Sequence, residues 1–253
     1  MDRDWLKVGI IWAALTALGE VAVVTWRMFP EGYTREYEVV DEAYVLLMIL
    51  AVPVFMFMVT MLTYSVIKFW SRERPTEDGP PMHGSNRVIV AWLVITSALT
   101  VGILINPGFV GLSDIRGEES SDMVIEVEGQ RWSWTVTYDN GIIVRSEPDG
   151  VLVVPVDTRI RFDVTATDVL HSFWVPAFGT KIDAVPGRTT ELYITTERTG
   201  SGEDDYNLRV QCAELCGLGH GTMAMGVDVL EEDEFDAWVE EWLAAESAAA
   251  EEG

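Results

Sequence analysis

Three long apolar segments dominate the first 106 residues, and they constrain the fold more than any other feature. They cover about residues 5–26, 43–70 and 88–106. Each reaches the roughly 20 residues that an α-helix needs to cross the hydrocarbon core of a bilayer. Tyr44 and Trp70 lie near the ends of the second segment, where interfacial aromatic side chains are common. The pattern predicts transmembrane helices instead of buried core helices, with a two-helix hairpin at residues 40–107.

The first apolar segment has two interpretations. Glu20 lies inside it, and an ionised carboxylate in the membrane interior costs about 2.5–3.5 kcal/mol on insertion scales. Residues 1–30 therefore form either an extra transmembrane helix or a signal peptide, with residues 17–19 as a weak cleavage site. We favour the helix, and the sequence leaves its processing open.

The basic residues of the short loops predict the orientation. The loop at 71–87 and its flank carry four of them, whereas the preceding loop carries two among five acidic residues. The positive-inside rule places the 71–87 loop in the cytoplasm. We therefore predict a multi-pass protein of the cell membrane, in contact with lipid, whose chain from about residue 107 lies on the extracellular or periplasmic side.

Short runs of alternating apolar and polar residues begin at Met123. The clearest is 132–138, Trp-Ser-Trp-Thr-Val-Thr-Tyr, and others lie at 151–156, 159–165, 189–195, 208–212 and 226–230. Turn sequences such as Asp139-Asn140-Gly141 separate them. Many short strands with turn signals predict a β-sandwich or barrel at residues 115–232. Residues 233–253 are predicted to form an acidic helix and tail, with the apolar side chains at 235, 238, 239 and 242 on one face.

The net charge of −24, from 41 acidic and 17 basic residues, excludes nucleic acid as a partner, because its phosphate backbone repels an acidic surface. Two interpretations of the acidity remain. It could steer a basic redox partner by long-range attraction, or it could reflect a protein that works in concentrated salt. The acidic residues are spread through nearly every loop, which favours the second interpretation and a halophilic source.

Side chains suited to metal binding are concentrated in residues 212–223. Cys212, Cys216, His220 and Met223 supply two thiols, an imidazole and a thioether, and glycines at 217, 219 and 221 allow the chain to turn tightly between them. His171 offers a second imidazole among apolar neighbours that would exclude water. Soft sulfur ligands together with imidazole suit copper.

Three other interpretations compete with a copper pair. A disulfide between the cysteines leaves the neighbouring imidazole and thioether without a role, and a structural zinc site with two Cys and two His leaves Met223 unexplained. A single blue-copper centre uses only one cysteine. The surplus thiol favours two coppers that share two bridging sulfurs.

The spacing Cys-x3-Cys-x3-His-x2-Met, with Glu214 between the cysteines, resembles the copper A motif of cytochrome c oxidase subunit II. The segment Asp168–Pro176, the later Lys181-x-Asp183 and Val-Pro-Gly at 185–187, and the aromatic run from Trp132 match the same family in the same order. With the transmembrane hairpin, the resemblance covers roughly residues 40–245. An acidic insertion at 200–205 and Val210, where glycine is common in the family, are departures from the pattern.

The resemblance implies a membrane-anchored all-β protein in which transmembrane helices precede a cupredoxin-like Greek-key β-barrel. It implies bridging thiolates from the two cysteines and one imidazole per copper, from His171 and His220. Met223 and the backbone carbonyl of Glu214 would be weak axial ligands, and the Glu214 carboxylate would reach a magnesium ion at the boundary with subunit I. Trp132 resembles the residue through which electrons enter, and residues 181 and 183 would face subunit I.

The function implied by the resemblance is electron entry into a haem-copper terminal oxidase. A cytochrome c or a blue-copper protein would supply electrons to the copper pair, which would pass them to haem in subunit I; this chain would carry no oxygen-reducing site. Other oxidase subunits would be further partners. The alternatives are a copper A subunit of a nitric-oxide reductase and a copper-storage or metallochaperone module.

Overall fold

The structure is a computed structural model that describes residues 3–26, 29–70, 84–117 and 120–252. Most of the loop predicted to be cytoplasmic, residues 71–83, lies outside the described residues. The chain divides into two compact units. One comprises Met1–Met28 and Glu42–Gly111, and the other comprises Phe29–Asp41 and Leu112–Gly253.

The apolar segments are helical, as predicted. Helix α1 covers Asp4–Thr25, α2 covers Arg35–Phe69, and α3 covers Asn86–Ile103, which continues through a wide turn, Leu104–Phe109, into α4, Val110–Arg116. Within the described ranges, three helical stretches are long and apolar enough to span a membrane: Asp4–Thr25, Arg35–Phe69 and Asn86–Arg116. The last is interrupted at Asn106, whose backbone is extended. Asn106 precedes Pro107, and the residue before a proline is disfavoured in the helical conformation.

Polar contacts and a small residue join α1 to α2. The indole nitrogen of Trp12 donates a hydrogen bond of 2.8 Å to the carbonyl of Pro53. Near the start of α1, Asp4 accepts a hydrogen bond of 2.8 Å from the Tyr64 hydroxyl and pairs with Lys68. Further along, Gly19 leaves space for Val52, since a Cβ at position 19 would lie 2.7 Å from its Cγ1. The two helices are therefore in contact and run in opposite directions.

The second unit is built from two β-sheets. The first has the order β3-β2-β1-β5-β8 and the second has β4-β11-β10-β6-β7, with β9 paired to β11. Most neighbours are antiparallel, but β1 pairs with β5, and β4 with β11, in parallel. The strands are β1 Met123–Gln130, β2 Ser133–Tyr138, β3 Ile143–Arg145, β4 Val151–Pro155, β5 Arg159–Ala166, β6 His171–Trp174, β7 Lys181–Ala184, β8 Thr190–Thr195, β9 Gly200–Ser201, β10 Arg209–Cys212 and β11 Ala224–Leu230.

The core of this unit lies between the sheets. Strands β2 and β5 alternate buried with partly exposed positions, because successive side chains of a strand point to opposite faces. Trp134, Phe162 and Phe173 are fully buried, and the ring of Phe173 packs edge-on against Trp134 and tilted against Phe162, with centroids 5.8 and 5.1 Å apart. Helix α5, Glu232–Glu252, packs on the core through Phe235 and Trp238. Apolar helices followed by a cupredoxin-like β domain confirm the predicted fold class.

The first turn of α2 belongs to this β-rich unit. The Glu36 side chain is buried, and its carboxylate accepts a hydrogen bond of 2.7 Å from the backbone N–H of Thr195 and pairs with Arg159 at 3.2 Å. Arg159 also donates to the carbonyl of Arg116, the last residue of α4. One arginine thus ties the first turn of α2 and the end of α4 to the edge of the first sheet.

Candidate metal centre

Neighbouring strands of the second sheet bring the predicted metal-binding residues together. His171 begins β6, Cys212 ends β10, and the two strands pair so that Cys212 lies opposite Phe173. The chain then turns through residues 213–222 and returns at Met223, immediately before β11. Gly217 has a φ of 122°, which a residue with a side chain rarely adopts. The loop therefore folds back on the end of β10.

The two thiols lie side by side and each faces a different imidazole. Their sulfur atoms are 3.7 Å apart, and both cysteines are free. Cys212 Sγ is 3.8 Å from His171 Nδ1, and Cys216 Sγ is 3.7 Å from His220 Nδ1. The disulfide interpretation therefore does not describe this state of the molecule.

Each thiol also has a weaker donor beside it. The Met223 thioether is 3.9 Å from Cys216 Sγ, and the Glu214 backbone carbonyl is 3.1 Å from Cys212 Sγ. All six predicted metal residues therefore contribute a donor atom within 4 Å of a thiol.

The donor spacing fits soft metal ions. For metal–nitrogen bonds of about 2.0 Å and metal–sulfur bonds of about 2.3 Å, the sulfur–sulfur and sulfur–nitrogen separations of 3.7–3.9 Å correspond to angles of about 105–125° at a shared ion, as in trigonal and tetrahedral sites. The donors of His171, Cys212 and Cys216 all lie within 4.8 Å of one another, and the described residues give no such group that includes His220. The thiols, His171 and Met223 are at least 93% buried. The donor set is thus enclosed and sulfur-rich. His220 lies beside Cys216 but outside the compact group formed by His171 and the two thiols.

Asp168 fixes the orientation of His171. The sequence alone predicted no role for this aspartate. Its Oδ1 lies 2.9 Å from Nε2 of His171. An ionised carboxylate only accepts hydrogen bonds, so Nε2 carries the hydrogen and Nδ1 presents its lone pair to the thiols. Burial alone would raise the pKa of the Asp168 carboxyl, but hydrogen bonds from His171 and Arg131 outweigh it and hold that pKa well below its ordinary range. The signal in the sequence is an acid three residues before the histidine.

Burial, together with the hydrogen bond and charge of Cys212, raises the pKa of the Cys216 thiol to about 11. The metal-free chain therefore holds a proton on this sulfur at neutral pH. Binding of a metal ion releases that proton, because only the thiolate is a good ligand.

Trp132 lies against the loop that carries the ligands. A Cβ at Gly219 would be 2.5 Å from the indole Cδ2, and one at Gly217 would be 3.5 Å from Cζ2. The ring is 38% exposed. Its two sides therefore meet different surroundings, with the ligand loop on one and solvent on the other.

Three polar residues named by the resemblance lie outside this enclosure. The Glu214 side chain is exposed, as are Lys181 and Asp183 on the edge strand β7. No group of three or more potential ligands among the described residues includes the Glu214 carboxylate. Magnesium binding at Glu214 therefore stays a prediction that the contacts of this chain do not support.

Comparison with known proteins assigns the chain to a family. The model of the family described as "Cytochrome C oxidase subunit II, periplasmic domain" matches residues 140–230. The probable cytochrome c oxidase subunit 2 of Rickettsia bellii is 32% identical over 212 residues, which cover 76% of this chain and 75% of that protein. The chain belongs to the cytochrome c oxidase subunit II family. It is therefore a subunit of an oxidoreductase complex.

Other subunit II proteins give similar comparisons. Cytochrome c oxidase subunit 2 of Alkalihalophilus pseudofirmus is 35% identical over 177 residues, covering 67% of this chain and 49% of that protein. The crystal structure of the periplasmic domain of subunit II of Bradyrhizobium japonicum matches with a TM-score of 0.44 and 35% identity, covering 50% of this chain and 96% of that one. A second structure, a mixed disulfide between a thioredoxin-like protein and subunit II, matches with a TM-score of 0.41 and 35% identity, covering 49% of this chain and 92% of that one.

Proposed function

We propose that this subunit II is the electron-entry subunit of a haem-copper terminal oxidase and that its enclosed donor set holds two copper ions. It accepts electrons from an external redox protein and delivers them to haem in subunit I, where oxygen is reduced to water. The observation that carries the proposal is the pair of buried thiols, 3.7 Å apart, each beside its own imidazole. A copper pair bound there supplies reversible one-electron transfer.

The surrounding chain suits such a centre because it holds the donors rigidly. His171 and Cys212 lie on paired strands, and Met223 adjoins a third. Trp134 packs edge-on against the imidazole of His171, Phe173 packs against Trp134, and these buried rings keep water away. A fixed, dry donor set limits the rearrangement that accompanies a change of charge. The same enclosure argues against a metallochaperone, which must expose its ligands for exchange.

Trp132 is the proposed point of electron entry. Its partial exposure gives an external donor access to the indole, and the opposite side of the ring lies on the ligand loop. The donor is a cytochrome c or a blue-copper protein. Lys181 and Asp183 are proposed to face subunit I. A thioredoxin-like dithiol reductant is a further partner. When an oxidant such as molecular oxygen takes two electrons from the thiols, which are 3.7 Å apart, they join in a disulfide of about 2.05 Å. A dithiol must then return those two electrons before the sulfurs bind metal.

The helices α1, α2 and α3 with α4 are proposed to cross the membrane, with the β-rich unit on the outer side. The first helix is proposed to be retained as a third span, because the Asp4, Trp12 and Gly19 contacts with α2 are specific. The acidic Asp4 then lies beside Lys68 at the inner surface.

Metal analysis of the full chain, purified in detergent and loaded with copper, tests the proposed function. We expect two copper ions per chain and absorption bands from thiolate-to-copper charge transfer. Cys216→Ser removes one of the two thiols that would hold the copper pair and should abolish those bands. Recovery of zinc, or of a single copper per chain, would contradict the proposal.

A matched pair of methionines gives the control. Met223 lies 3.9 Å from Cys216 Sγ, whereas Met225 is similarly buried but lies on β11, where it pairs with Val210. Met223→Leu should shift the absorption bands and the reduction potential, and Met225→Leu should leave both unchanged. Equal spectra for the two variants would remove the thioether from the ligand set.

A further inference from the structure

The two carboxylate oxygens of Asp168 bind different parts of the metal centre. Oδ1 lies 2.9 Å from His171 Nε2 and accepts a hydrogen bond of 2.7 Å from the backbone N–H of Val169. Oδ2 accepts hydrogen bonds from the backbone N–H of Arg131 at 3.0 Å and from Arg131 Nε at 2.8 Å. One oxygen therefore holds an imidazole of the donor set, and the other holds the residue that precedes Trp132.

The segment bound by Oδ2 is the short connection that positions the indole. Arg131 and Trp132 are the two residues between β1, which ends at Gln130, and β2, which begins at Ser133. The Trp132 ring is wedged against Gly219 of the ligand loop. A displacement of this connection would therefore change the separation between the indole and the donor set.

From these contacts we infer that Asp168 is a positioning residue that couples the copper centre to the electron-entry indole. The inference rests on the proposed function, since it assigns the carboxylate a role in that same site. The carboxylate holds both the ring of His171 and the Arg131–Trp132 connection. One side chain therefore sets the distance between the indole of Trp132 and the metal-binding donor set. Functional geometry of this kind depends on supporting hydrogen bonds that hold donors within about 0.5 Å.

Magnitudes separate the contributions of the two Arg131 contacts. The Arg131 side chain is 51% exposed, and an exposed ion pair is worth about 0–1 kcal/mol, or at most about fivefold in an equilibrium constant. Water is a poorer substitute for the hydrogen bond from the backbone N–H of Arg131, because the Asp168 carboxylate that accepts it is only 18% exposed. We therefore expect loss of the carboxylate to matter more than loss of the guanidinium.

The experiment measures two quantities in the full chain in detergent, before and after loading with copper. One is copper(I) affinity, by competition with bicinchoninate. The other is deuterium exchange of the amides at 131–133. In the unaltered chain, copper should slow that exchange, because a fixed His171 ring fixes Asp168 and hence the connection. Asp168→Ala should weaken copper binding about 10- to 100-fold and abolish the effect of copper on exchange.

Three further variants make the result specific. Asp168→Asn keeps the shape but has one acceptor oxygen instead of two, so it can serve only His171 or only Arg131; it should also lose the effect of copper on exchange. Arg131→Gln should change exchange less than about fivefold and leave copper affinity within about twofold. Asp163→Asn is the control, since Asp163 is 20% exposed and pairs with Arg161 away from the centre; both measurements should match those of the unaltered chain.

The outcomes distinguish failure of the proposed function from failure of the positioning role of Asp168. An unaltered chain that binds no copper pair overturns the proposed function. An unaltered chain that binds copper normally, together with an Asp168→Ala chain in which copper still slows exchange at 131–133, overturns the positioning role alone. Circular dichroism and the folded Asp168→Asn variant keep the test valid if Asp168→Ala fails to fold.

Discussion

At the scale of single residues, the indole of Trp132 occupies space that a side chain at position 219 would need. Gly219→Ala places a methyl group 2.5 Å from the indole Cδ2, and overpacking of this kind costs about 1–3 kcal/mol. We expect the ring to move while the proposed copper ligands stay in place, so absorption is retained and reduction by a soluble cytochrome c slows. Stopped-flow reduction of the copper-loaded chain at fixed ionic strength checks this.

Gly221→Ala is the matched control for that substitution. A Cβ at position 221 would meet nothing within 4 Å, so the rate of reduction should not change. Trp132→Phe should reproduce the slower reduction with an intact spectrum. If Gly219→Ala and Trp132→Phe were both as fast as the unaltered chain, electrons would not enter at this indole.

Residues of the donor set were predictable because their chemistry is concentrated. Two thiols, an imidazole and a thioether within twelve residues have few structural explanations, and the structure brings all of them within 4 Å of a neighbouring donor. Asp168 received no role because a single acid near a histidine is common in any sequence. Its importance depends on the β1–β2 connection reaching it from 37 residues away, and a sequence pattern does not reveal such a contact.

At the scale of elements, the contact between α1 and α2 can be tested with two glycines of α1, because one lies against α2 and the other does not. A Cβ at Gly19 would lie 2.7 Å from Val52, whereas a Cβ at Gly9 would meet nothing within 4 Å. Small residues let membrane helices approach closely. We therefore expect Gly19→Leu to lower the thermal stability of the full chain in detergent and Gly9→Leu to leave it unchanged.

The same helix allows a direct check on processing. If it is a retained span, the intact mass of the chain purified from membranes includes Asp4 and Trp12. A mature chain that begins after about residue 19 would mean that the segment is a signal peptide. The Asp4 and Trp12 contacts would then have no role in the working protein.

Long elements followed from the sequence more readily than short ones. The apolar segments and strands such as β5 and β11 have clear periodicity, and their helices and strands lie where the pattern placed them. Four of the short strands, β3, β6, β7 and β9, were not predicted. They have only two to four residues, too few to display an alternation, and pairing with neighbouring strands defines them instead. Helix α2 also begins earlier than its apolar segment, because Glu36 and Thr34 are held by the β-rich unit.

At the scale of the whole molecule, we expect the excess of acidic residues to make stability depend on salt. The net charge is −24, and repulsion among like charges disfavours a compact state in dilute buffer. Glu197 illustrates this locally: burial raises the pKa of its carboxyl, and the neighbouring charges of Glu38 and Glu36 add to the rise. A raised pKa in the folded state means that stability is lost as the pH rises through that value. Both salt and mild acid should therefore stabilise the fold.

We expect the unfolding temperature of the full chain in detergent to rise between 0.1 and 2 M potassium chloride, because the Debye length falls from about 10 Å to below 3 Å over this range. At low salt it should also rise as the pH is lowered from 7 toward 5, whereas in 2 M salt this pH dependence should shrink, since screening has already removed the repulsion. A sucrose series controls for general exclusion of cosolvent from the surface.

Equal stability at both salt concentrations would rule out adaptation to concentrated salt and favour the other interpretation of the acidity, attraction of a basic donor. In that case the rate constant for association with a basic cytochrome c should fall steeply with salt, whereas under salt adaptation it should depend on salt only weakly at the molar concentrations where the protein works.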